Sequence, residues 1–130
     1  NAGWYSLPDL EAPFPAGLGG LCLNESDLRR LLESDLWILG GEKDCESNAD
    51  NLPSNPEALA QGPGRLQRAH NYMAAGRAAA ERLGSDFNWR FTEVPGVAHD
   101  GCAMGKAAAG LWFDGALPSE EALGVGTVNA

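Results

Sequence analysis

Positive charge is scarce in this sequence. Nine Lys and Arg stand against eighteen Asp and Glu, a formal net charge of −9 over 130 residues. A nucleic-acid groove or an anionic membrane surface needs clustered Lys and Arg, so neither is an expected partner. Long apolar runs are missing as well, and none approaches the roughly 20 residues of a membrane span. Cysteine is sparse: Cys22, Cys45 and Cys102 fit neither a small disulfide framework nor a CxxC zinc motif. A signal peptide and an initiator methionine are also lacking. Asn1 is followed at once by Ala-Gly-Trp-Tyr, which predicts a cut within a longer polypeptide or a processed product. What remains is a globular composition, 44% hydrophobic with four Trp and four Phe, enough for a single modest core.

Residues 1–20 are rich in Pro and Gly and read as an extended, irregular segment. Asn24 or Ser26 caps a short helix whose apolar stripe is Leu28, Leu31 and Leu32, with Asp27 favouring the positive end of its dipole. Leu36-Trp37-Ile38-Leu39 is a continuous apolar run closed by Gly40 and Gly41, the pattern of a strand buried on both faces of a parallel sheet. A polar surface excursion follows from Glu46 to Pro56, where Pro56 suits the first position of a helical turn. The next helix is predicted from about Arg65 to Leu83. Its apolar face runs through Leu66, Ala69, Met73, Gly76, Ala80 and Leu83, its arginines lie mostly off that face, and Gly84 stops it. Phe87, Trp89 and Phe91 alternate with polar residues as in a half-buried strand that continues into Val94, where Pro95 and Gly96 break it. A last helix is predicted over about Ala103 to Phe113, and residues 114–130 as a flexible or extended tail.

Strands alternating with helices predict an α/β layer with parallel strands. Two strands are few for such a sheet, which points to the end of a larger α/β domain spanning residues 1–113. Ligand sites in open α/β sheets lie beyond the carboxyl ends of the strands. Asp44 and His99 both fall there, on strands expected to be neighbours. A carboxylate beside an imidazole fixes its tautomer and stabilises the imidazolium during proton transfer. Taken singly, Asp44 is also an ordinary turn residue and His99 an ordinary loop histidine. Glu42 and Asp50 are rival acids, more simply read as solvated. His70 reads as structural, and Asp100 as the cap of the following helix.

The acid-then-histidine order resembles that of the α/β-hydrolases, whose nucleophile comes earlier in the chain. Leu36-Trp37-Ile38-Leu39-Gly40-Gly41-Glu42-Lys43-Asp44 resembles their acid strand and loop. Val94-Pro95-Gly96-Val97-Ala98-His99-Asp100, with Met104 beyond, resembles their histidine loop. The stretch from Gln61-Gly62 to Arg68-Ala69, Phe87-Asn88-Trp89-Arg90-Phe91, and the opening Asn1 to Asp9 resemble a bacterial branch of serine hydrolases related to lipases and esterases. The resemblance implies the C-terminal portion of an α/β-hydrolase parallel sheet with flanking helices. It implies Asp44 as the triad acid, His99 as general base, a small ester-like substrate, and no metal or other cofactor. The departure is plain: no Gly-x-Ser-x-Gly nucleophile elbow occurs anywhere in the sequence. The nucleophile half is absent, and the chain alone is expected to be inactive by the triad route.

Several readings hang on that frame. Trp4 and Tyr5 are candidates to line a substrate pocket, against plain aromatic packing. If the acid and histidine loops adjoin, Cys45 and Cys102 come within range of a disulfide, which would imply an extracytoplasmic location; the alternative is two unlinked buried thiols. Cys22 would then be a buried small hydrophobe. Two other functional classes stay open. One is a zinc-binding module built from Asp44, Cys45, His99, Asp100 and Cys102. The other is a non-catalytic interaction fragment whose open sheet edge pairs with a missing N-terminal segment or with a copy of itself.

Overall fold

Helix α1 (Glu25–Glu33) begins at a reciprocal cap: Asn24 Oδ1 accepts from the Asp27 amide, and the Asp27 carboxylate accepts from the Asn24 amide, both at 2.9 Å. This computed structural model describes residues 2–125. Strand β1 (Trp37–Gly41) leads into the polar excursion, the short helix α2 (Pro56–Ala60) and the long helix α3 (Arg65–Leu83). Gly84 ends α3 in the left-handed conformation, with φ of 62°. Strand β2 (Arg90–Val94) then pairs with β1 in parallel, from Trp37 opposite Arg90 to Gly41 opposite Val94. Helix α4 (Gly101–Ala109) and the short α5 (Glu120–Leu123) complete the order.

The β1–α3–β2 crossover gives the sheet two covered faces. On one, Leu28 and Leu32 of α1 and Ala69, Ala79 and Ala80 of α3 bury Ile38 and Trp89. Gly76 lets α3 approach closely enough for the Trp89 ring to lie where a side chain would start, and the Trp89 indole N–H donates to the Leu31 carbonyl at 2.9 Å. On the other, Val94, Val97, Ala103, Met104, Ala107 and Leu123 form a second core with Leu39 against it. Coverage on both sides is what a parallel sheet requires.

Three expectations change. The last helix does not continue regularly to Phe113. It passes into a π-helical turn at Gly110–Asp114, which leaves Trp112 and Phe113 64% and 83% exposed. Residues 114–125 are folded: Leu117 and Val125 pack on the second core and Leu123 is buried in it, because Gly115 reverses the chain and Ser119 caps α5. The remainder of the expected tail, 126–130, lies outside the described residues. Cys22 is exposed, with φ of 58°, on the surface turn before α1.

Candidate functional site

Both loops at the carboxyl end of the sheet are tied to each other by main-chain bonds. The Glu42 and Lys43 amides donate to the carbonyls of Val94 and Val97 at 3.0 and 2.8 Å. The Glu42 carboxylate in turn accepts from the Gly96 amide at 2.6 Å. Val97 is fully buried and anchors one end of the histidine loop. Asp100 fixes the other by accepting from the Cys102 and Ala103 amides at 3.0 Å, as the cap of α4. His99 is held between those anchors.

Asp44 and His99 come together: Asp44 Oδ2 lies 3.0 Å from His99 Nδ1. Asp44 is only 5% exposed, whereas the His99 side chain is 40% exposed. An ionised carboxylate only accepts hydrogen bonds, so with Asp44 ionised Nδ1 is the donor in this pair. The pair opens on a cavity of about 290 Å³ lined by Lys43, Asp44, Glu46, Asn51, Arg65 and His99, among others.

The second partner of Asp44 was not legible as a site residue. Arg65 Nη1 lies 3.8 Å from Asp44 Oδ1, with both side chains 5% exposed. Arg65 Nη2 also donates to the carbonyl and side-chain oxygens of Asn51, at 3.0 and 3.1 Å. One turn along α3, Arg68 is entirely buried and donates to the carbonyls of Gly62, Gly3 and Pro53 at 2.8, 2.7 and 2.9 Å. Burial, with the Arg65 charge nearby, lowers its pKa. Gln61 bridges both main-chain groups of Tyr5, accepting from its N–H at 2.8 Å and donating to its carbonyl at 2.6 Å. The expectation that the first arginines of α3 lie off the core is therefore corrected. They turn inward to gather the N-terminal segment, the 46–56 excursion and the acid loop. A sequence signal was available: two arginines open a helix whose first turn has no acidic residue, against the preference of the helix dipole.

Other candidates separate from the pair. Trp4 lines a distinct apolar cleft of about 390 Å³ with Pro13, Phe14, Pro15, Asn55 and Glu57. Tyr5 stacks on Tyr72 with ring centroids 4.5 Å apart, and burial raises the pKa of both. His70 stacks on Phe91 and meets Glu93 at 3.2 Å. The anticipated disulfide is not formed: Cys45 and Cys102 are exposed free thiols. The Cys45 main chain packs against Gly64 at the start of α3, while Cys102 sits in the first turn of α4. Among the described residues, no three His, Cys, Asp or Glu side chains converge as a metal-ligand set. No helix of the described residues is long and apolar enough to cross a membrane.

A parallel βαβ unit flanked by helices, with its loops gathered at the carboxyl ends of the strands, defines an α/β fold, and it matches structural neighbours of the α/β-hydrolase type. The chain is similar over 94% of its length to the poly(3-hydroxybutyrate) depolymerase LpqC from Bordetella parapertussis, at 48% identity and a TM-score of 0.88. It is similar over 76% of its length to poly(aspartic acid) hydrolase-1 from Sphingomonas sp. KT-1, at 38% identity and a TM-score of 0.75. The chain spans 41% and 38% of the lengths of those two proteins. No family model and no curated protein matches the chain.

Proposed function

We propose that this chain supplies the acid and the histidine of a serine hydrolase that cleaves ester or related acyl bonds. Its nucleophile would lie in sequence outside these 130 residues. The observation that carries the reading is the 3.0 Å contact between buried Asp44 and half-exposed His99 at the mouth of a cavity. In this mechanism His99 Nε2 removes the proton from a serine hydroxyl as its oxygen attacks the acyl carbon. The resulting imidazolium, held by Asp44, then returns that proton to the leaving group. Water, deprotonated by the same nitrogen, releases the acid. Trp4, in a cleft apart from the pair, is the candidate for contact with an apolar part of the substrate away from the scissile bond, and Tyr5 next to it is held by Gln61 and Tyr72.

The names of the two solved structures offer a polyester and a polyanionic polyamide as substrate models. A net charge of −9 repels a polyanion, and the Trp4 cleft is mainly apolar, so the polyester-like class is favoured. The test is hydrolysis of a p-nitrophenyl acyl ester by the polypeptide that includes the sequence before Asn1. D44N and H99Q are each expected to lower kcat/KM by about 10³- to 10⁴-fold. Rates within tenfold of the parent, or no Gly-x-Ser-x-Gly elbow upstream, would remove the reading.

A second reading has its own observation. Among the described residues β1 pairs only with β2. An open groove of about 280 Å³ runs along Leu36, Trp37, Ile38 and Leu39 to Ala2, Tyr5 and Tyr72. An additional strand, from the same polypeptide or from a copy, would lie along that groove. A compact monomer in light scattering of the isolated chain would count against pairing between copies.

A further inference from the structure

We infer that Glu42 is a positioning residue that holds the histidine loop against the acid loop, so that His99 stays on Asp44. The inference rests on the acid–base reading of Asp44 and His99 given above.

The turn that delivers His99 is weakly closed by its own chain. Val94-Pro95-Gly96-Val97 has proline at its second position and glycine with φ of 73° at its third, the pattern of a type II turn. Pro95 has no amide to donate. The bond that should close the turn, from the Val97 amide to the Val94 carbonyl, measures 3.5 Å, beyond the usual range of about 2.7–3.2 Å. Glu42 supplies what the turn lacks. Its amide donates to the Val94 carbonyl at 3.0 Å, and its carboxylate accepts from the Gly96 amide at 2.6 Å. One residue of the acid loop thus grips the turn on both sides of Pro95. A carboxylate accepting from an amide makes a charge-assisted bond, shorter and stronger than a neutral one.

The grip lies close to the pair in sequence: Glu42 stands two residues before Asp44, and Gly96 three before His99. The Lys43 amide adds a bond to the Val97 carbonyl at 2.8 Å. Three ties therefore set one loop against the other, and only the Glu42 side chain can be changed without touching the main chain. Asp100, by contrast, bonds within its own helix and leaves the spacing of the two loops unset. Reach and charge make opposite demands at position 42. Aspartate keeps the charge but is one methylene too short to span the gap. Glutamine keeps the length and an acceptor oxygen but drops the charge.

Two measurements test the role. In the polypeptide that includes the sequence before Asn1, E42A and E42D are each expected to lower kcat for a p-nitrophenyl ester about tenfold with KM unchanged, and E42Q to restore most of it. In the 130-residue chain, E42A and E42D should speed exchange of the Gly96 amide about tenfold. They should also broaden the NMR signal of the His99 Nδ1–H proton, with His70→Gln to assign it, and E42Q should preserve both features. A merely structural bond would lower Tm and leave kcat and the ring signal alone. An E42A protein with parental kcat and ring signal overturns the inference while leaving the dyad intact. So does E42D at the parental rate with E42Q as slow as E42A, which would assign the effect to charge. D44N or H99Q at the parental rate removes the dyad reading instead. Should E42A fail to fold, the opposed expectations for E42D and E42Q decide the matter.

Discussion

Gly41 is the position where a single methyl group should separate the two loops of the candidate site. It closes β1, and a Cβ built there would press on the Val97 carbonyl carbon at 3.1 Å, the Ala98 carbonyl oxygen at 2.9 Å and, closer still, the Val97 oxygen. All three are main-chain atoms, so no side chain can swing aside. Val97 is fully buried and accepts from the Lys43 amide, which leaves displacement of the histidine loop as the response. Overpacking of this kind costs about 1–3 kcal/mol. With an unfolding entropy near 2.1 cal/mol/K per residue, a chain of this length loses about 4–11 °C in Tm. Moving Ala98 also stretches the adjacent Asp44–His99 contact beyond hydrogen-bond range. In the hydrolase proposed above, a misplacement of about 1 Å would lower kcat/KM by about 10²-fold. The assay is thermal denaturation of G41A beside G105A, with the His99 Nδ1–H signal read on both. Gly105 lies inside α4 with nothing within 4 Å of its missing Cβ, so alanine there should stabilise by about 0.5–1 kcal/mol. A G41A protein with unchanged Tm and an unchanged His99 Nδ1–H signal would refute the reasoning.

Two further outcomes follow from the buried groups beneath the site. Tyr5 and Tyr72 are the two tyrosines of the sequence, and burial raises both pKa values above 10.0, the Asp44 charge adding to Tyr5 and Tyr5 itself adding to Tyr72. A raised folded-state value means that the associated stability is complete below pH 10 and is lost as pH climbs through that value. Phenolate absorbance should therefore appear late and together with unfolding; a smooth transition near pH 10 in folded protein would contradict it. For Arg68, substitution by methionine removes donors from the carbonyls of Gly3, Pro53 and Gly62. Each buried carbonyl left alone costs about 1–3 kcal/mol, partly offset by relief of guanidinium desolvation, for a net loss of about 3 kcal/mol. Hydrogen exchange should show the loss concentrated in residues 3–5 and 51–62, and an R68M variant as stable as the parent would reverse the assignment.

The parts of this molecule that the sequence made legible are those governed by local rules. Leu36 to Gly41 announced a buried parallel strand by its unbroken apolar run. Gly84 announced the end of α3, and Asp100 a helix cap. The placing of Asp44 and His99 just past two strand ends followed from the same local signals plus the topology of parallel sheets. What escaped was decided by distant partners. Arg65 and Arg68 lie at helix positions that a periodicity argument gives to solvent. They turn inward because Asn51, Pro53, Gly62, Gly3 and Asp44 present six oxygens to them from four separate stretches of chain. No window of neighbouring residues contains that demand. The same reason explains residues 114–125: a stretch of Gly, Pro, Ser and Glu has little helical or apolar signature of its own. It folds because Leu117, Leu123 and Val125 find Val94, Val97 and Met104 already assembled. Cys45 and Cys102 show the converse, since adjoining loops do not imply adjoining side chains when one thiol follows a main chain packed on Gly64 and the other rides a helix turn. The candidate site inherits this division of labour. Its acid and histidine are set by strand ends, whereas Arg65, which meets Asp44 Oδ1 at 3.8 Å, finds its place only once the excursion carrying Asn51 has folded back over it.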